Sequence, residues 1–82
     1  MGKHEKLLAK LKRHPKDFSF QEVVALLSGF GYALNQRGSG SRIRFDHEHY
    51  TPVLMHKPHP LPVLKPYQVD HLLDILRQEN LL

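Results

Sequence analysis

Histidine exchanges a proton near neutral pH, and arginine grips a phosphate through paired N–H bonds while staying protonated. This chain has both side chains in quantity: seven histidines, and twelve Lys or Arg against eight acids. Arg37, Arg42 and Arg44 flank the run Gly38-Ser39-Gly40-Ser41. Two glycines let backbone amides approach a phosphate closely, and the hydroxyls of Ser39 and Ser41 add donors. The same four residues also suit an ordinary hairpin loop. His47, His49, His56 and His59 follow within a short span. The chemistry on offer is proton transfer beside a bound phosphate.

A metal site is the other use of such histidines. His47-x-His49 could chelate from one face of a strand, because residues i and i+2 share a face. Cysteine is absent, and Asp46 and Glu48 fall within a polar turn, so neither a metal nor another cofactor is expected. His4, His14 and His71 read as surface residues.

The elements that must position these groups follow from periodicity. Leu7, Leu8 and Leu11 form one helical stripe with lysines opposite, within residues 1–14, and Pro15 ends it. That lysine face either stays solvated or meets RNA. A second helix opens at Ser19, where Glu22 has the capping-box spacing, and Gly29 or Gly31 closes it. The period then drops to two. Three strands are expected: one from Tyr32, one over 41–45 with Ile43 and Phe45 opposite Arg42 and Arg44, and one over 50–56. Residues 57–66 hold four prolines and read as an extended connector without regular structure. Pro66 suits the first turn of a last helix, in which Val69, Leu72, Leu73 and Leu76 share a face.

The order is α-α-β-β-β-α: an α+β fold, with helices packed on one face of a three-stranded antiparallel sheet. Phe20, Val23, Leu27, Leu34, Ile43, Phe45, Leu72, Leu73 and Leu76 are expected to share its core. In such a meander the third strand runs back along the second, so His56 and His59 should approach the loop that carries Arg42.

Size and charge narrow the function classes. At 82 residues the chain is a single domain, too short for a two-domain enzyme, a TIM barrel or a full dinucleotide-binding fold. A net charge of +4 favours an anionic partner such as nucleic acid, phosphate or an acidic protein. The lack of cysteine rules out disulfides and thiolate zinc sites. No apolar run suggests a signal sequence or a membrane span, so a cytoplasmic protein without a membrane partner is expected.

Three further motifs, taken in order, carry a family resemblance. Gly40-Ser41 enters the second strand and Phe45 lies within it; His59-Pro60 follows in the connector; Leu64-Lys65-Pro66 opens the last helix. Over residues 18–82 the chain resembles the HicA-type mRNA interferase toxins, and only the N-terminal helix lies outside that core. The resemblance implies a double-stranded-RNA-binding-like fold and an endoribonuclease that cuts mRNA without a metal or small-molecule cofactor. It also implies neutralisation by a HicB-type antitoxin. With Gly40-Ser41 on the family's Gly-Ser-His step, Arg42 stands where the catalytic histidine would be. With Gly38-Ser39 there instead, Gly40 takes that place.

Cutting RNA without a metal requires a base for the 2′-hydroxyl, an acid for the leaving oxygen and a cation for the phosphate. Arg42 can supply only the cation. His59, with His56 as second choice, is therefore expected to carry the proton. Arg37, Ser39, Ser41, Arg42, Arg44 and Lys65 are expected to contact phosphate. The alternative is a non-catalytic RNA- or protein-binding module on the same fold.

Overall fold

The computed structural model describes residues 2–36 and 42–82, so the expectations placed on Arg37, Ser39 and Ser41 lie outside the described residues. Its elements run α1 (Lys3–Lys12), α2 (Phe20–Gly29), β1 (Ala33–Asn35), β2 (Arg42–Asp46), β3 (Val53–His56) and α3 (Pro66–Gln78). The strands form one antiparallel sheet in the order β1-β2-β3. This is the α+β order expected from periodicity.

The apolar stripes meet in one core. Leu7 and Leu11 of α1, Val23, Leu26 and Leu27 of α2, and Val69, Leu72, Leu73 and Leu76 of α3 are buried together with Ile43, Phe45 and Val53 of the sheet. Phe18 and Leu64, outside any periodic face, are buried with them. Phe20 packs at the margin of this core. Leu34 departs from expectation at 37% exposed. It sits opposite Phe45, but β1 is a three-residue edge strand and the helical layer does not cover it.

Local chemistry sets the ends of α2. Ser19 accepts from the Glu22 N–H, and the Glu22 carboxylate accepts from the Ser19 N–H, which closes the capping box. The same carboxylate takes Lys10 of α1 at 2.9 Å, joining the two helices. Beyond Phe30, Gly31 turns the chain at φ +98°, where a side chain would be strained and its Cβ would lie 3.0 Å from the His47 ring.

Two boundaries shifted for hydrogen-bonding reasons. β3 starts at Val53, because Pro52 has no N–H and the Thr51 N–H donates instead to Glu79 at 2.9 Å. Asp46 joins β2, in register with Ala33. The proline-rich connector also pairs more than expected. Val63 bridges Ser19, with Phe20 N–H donating to Pro62 O and Leu64 N–H to Phe18 O at 2.9 and 2.8 Å.

Candidate functional site

Strand alternation sorts the sheet into two faces. Ile43, Phe45 and Val53 point into the helical layer, while Arg42, Arg44, Leu54 and His56 are exposed on the other face. The register places Arg42 directly opposite His56 and Arg44 opposite Leu54. Side chains facing each other across an antiparallel pair are near neighbours, so a fixed cation and an imidazole share one corner of the open face.

The corner continues into the connector. One cleft, about 160 Å³, is lined by His56, Lys57, His59, Lys65, Tyr67 and Gln68 among others. A second, about 260 Å³, runs along the strands past Arg42, Leu54 and His56. His56 lines both. Four of the residues singled out from sequence, Arg42, His56, His59 and Lys65, are thus gathered along one continuous surface, and all four are exposed. The His59–Pro60 peptide is cis.

Gln68 holds this corner together. It is a buried polar residue, 6% exposed. Its amide nitrogen donates to the His56 carbonyl at 3.0 Å, and its Oε1 accepts from the Lys65 N–H at 3.0 Å. One side chain therefore ties the end of β3 to the start of α3. Sequence reasoning missed it, although its spacing was a usable signal: a Gln three residues after an N-cap, with Pro between, fits the return half of a capping box.

Arg44 differs from Arg42. Its Nε donates to the Asp46 carboxylate, and Asp46 also accepts from Asn35 at 3.3 Å. Arg42 makes no ion pair among the described residues. The open face therefore has one cation tied to an internal acid and another directed at solvent.

The remaining histidines separate by their contacts. His47 donates from Nε2 to Phe30 O at 2.9 Å, while its Nδ1 accepts from the His49 N–H at 2.9 Å. Its ring packs against Tyr32 and Tyr50 at 5.0 and 4.3 Å between centroids. It organises the β2–β3 turn and lies away from the gathered corner. His14 pairs with Asp70 at 3.0 Å, joining the end of α1 to α3. Among the described residues no group of three or more His, Asp or Glu is placed to hold a metal ion. No helix is long and apolar enough to cross a membrane.

Comparison with known proteins adds one match. The model of the family described as HicA toxin of bacterial toxin-antitoxin systems fits residues 20–79, which span α2 through α3 and leave out α1. No curated protein and no solved structure matches the chain.

Proposed function

Because the chain belongs to the HicA family of bacterial toxins, we propose that it is an RNA-cleaving toxin, neutralised in the cytoplasm by a HicB-type antitoxin. The observation that carries this reading is the pairing of Arg42 with His56 across the strands, beside the cleft that holds His59 and Lys65.

In this reading Arg42 and Lys65 hold the scissile phosphate, with Arg44 next to them. A histidine takes the proton from the 2′-hydroxyl, and the freed oxygen attacks the adjacent phosphorus. The bond to the 5′-oxygen breaks, and a protonated group supplies that oxygen with a proton. The products are a 2′,3′-cyclic phosphate and a new 5′-hydroxyl, and no metal is consumed or needed. His59 is the first choice for proton transfer and His56 the second. Arg37, Ser39 and Ser41, outside the described residues, are proposed as further phosphate contacts.

One observation favours a second reading. With Gly40-Ser41 on the family's Gly-Ser-His step, Arg42 stands in place of the histidine, and an arginine cannot act as a base. A chain with the cation kept and the base given up would bind RNA, or dock a protein, without cutting.

The test is cleavage of bulk cellular RNA in EDTA by wild type, His59→Ala, His56→Ala and Arg42→Ala, with growth followed after induction. Loss of an acid or base removes about 10²–10⁴-fold in rate. The expected result is EDTA-resistant cleavage by wild type that collapses in His59→Ala. Cleavage abolished by EDTA overturns the metal-free mechanism, and full activity in both histidine variants overturns the assignment. RNA binding without cleavage by wild type establishes the second reading.

A further inference from the structure

Beside the gathered corner lies a groove that the phosphate chemistry does not use. It runs between β3 and α3, has a volume of about 500 Å³, and is lined by Leu54, His56, Tyr67, Asp70, His71 and Asp74 among others. That volume is within the roughly 300–1,000 Å³ range of small-ligand sites. Four large hydrophobic side chains are exposed among the described residues, and two of them, Leu54 at 58% and Tyr67 at 64%, line this groove.

We propose that the groove receives one unpaired nucleobase of the RNA strand, stacked on the Tyr67 ring, while the neighbouring phosphate sits on the cationic side of His56. The inference rests on the RNA-cleaving reading and adds to it the site that holds a base. Continuity is the first argument. His56, Tyr67 and Gln68 line both the groove and the cleft that carries His59 and Lys65. A strand whose phosphate lies in the cleft has the groove within reach of an adjacent base, because the two share a wall.

Charge is the second argument. The cleft presents Lys57 and Lys65, whereas the groove presents Asp70, one oxygen of which meets His14, and Asp74, 3.9 Å from Arg77. Carboxylates repel a phosphate and accept hydrogen bonds from base N–H groups, so the two compartments separate a nucleotide into its anionic and aromatic parts. Position is the third. Tyr67 follows Pro66 in the first turn of α3, where the backbone is fixed by the helix and by the Gln68 tie. Exposed aromatic rings on rigid elements are the usual stacking platforms for splayed bases of single-stranded RNA.

The experiment measures binding of a fluorescent 2′-O-methyl hexanucleotide, which cannot be cut through its 2′-oxygen, to wild type, Tyr67→Ala, Tyr67→Trp and Arg42→Ala. Stacking of one base is worth roughly a 5- to 150-fold change in affinity. Tyr67→Ala should lose that factor and Tyr67→Trp should keep it. Neither should change the salt dependence, since stacking releases no counterions. An abasic position walked along the oligonucleotide should weaken wild type at one step and add nothing to Tyr67→Ala. The exposed ring makes an unchanged thermal melt the expectation for Tyr67→Ala.

Wild-type affinity in Tyr67→Ala, with Arg42→Ala still weakened, overturns the base site and leaves the RNA reading standing. Loss of antitoxin binding but not of RNA binding in Tyr67→Ala overturns it too, in favour of a protein-docking groove. No binding by wild type overturns this inference together with the reading beneath it.

Discussion

His47 and His56 stand at opposite ends of the β2–β3 hairpin and are used in opposite ways. The His47 ring packs against both Tyr32 and Tyr50, with both nitrogens bonded to the backbone. The turn end around it is closed in the same manner: the Tyr32 hydroxyl donates to Thr51 O at 2.8 Å, and Glu79 caps the Thr51 N–H. Burial, first of all, and the nearby Glu79 and Tyr50 push the Tyr32 hydroxyl above its ordinary pKa, which keeps it a donor. At the other end the His56, His59, Lys65 and Arg42 side chains are exposed, and the tie between elements is made by backbone groups through Gln68. One end spends its polar groups on holding the fold, and the other holds its backbone so that side chains face solvent. Residue type does not distinguish them; exposure does.

Both ends hang on the same helical layer, so the largest effect should fall on both alike. Leu73 is fully buried, and Leu73→Ala should cost about 2–5 kcal/mol in a denaturant melt. A loss below about half a kcal/mol would break the helix-on-sheet arrangement that makes the comparison possible.

The next effect should separate the ends. His47→Ala leaves Phe30 O and the turn amide without their partner, at a cost of about 1–3 kcal/mol, whereas the exposed His56→Ala should stay within about 0.5 kcal/mol. Equal costs would end the distinction between a structural and a site histidine.

A smaller effect should divide the open face itself. If RNA binds there, Arg42→Ala should reduce the slope of log affinity against log salt by roughly 0.7, the share of one single-strand phosphate contact. Arg44→Ala should change it less, because Asp46 already holds that guanidinium. Asp46→Asn should then raise affinity by releasing Arg44. Unchanged slopes in all three variants would make the face an ordinary solvated surface.

The smallest effect lies far from both ends, at the Lys10–Glu22 pair that fastens α1. Burial pushes the Glu22 carboxyl up, but the Ser19 N–H and Lys10 outweigh it and hold the pKa below the ordinary 4.5. A depressed carboxyl stabilises the fold above its ordinary value, and that contribution is lost as pH falls through the folded value. Lys10 is raised by its hydrogen bond to Glu22, against its own burial. Lys10→Met should therefore cost about 0.2–1 kcal/mol at pH 7, with the gap to wild type narrowing below pH 4.5 in melts at stepped pH. A constant gap would mean that the pair contributes through packing alone.

The element order, the capping box at Ser19, the helix faces and the alternation that puts Arg42 and Arg44 opposite Ile43 and Phe45 were legible in the residues, because each depends on near neighbours and a fixed repeat. The approach of His56 and His59 to Arg42 was legible for the same reason: an antiparallel meander returns the end of its third strand to the start of its second. Lys65 was legible only through the family resemblance of Leu64-Lys65-Pro66. Tertiary structure alone decided the rest. Whether Leu34 is covered depends on how far a helical layer extends across an edge strand. Whether Arg44 is already paired within the protein depends on Asp46 two residues along the same strand face, which became visible only once Asp46 belonged to the strand and not the turn. His47 reaches Phe30, and Gln68 reaches His56, across separations that no local repeat encodes. Periodicity records which face a side chain takes, but a hydrogen bond between distant segments exists only after packing has brought them within about 3 Å.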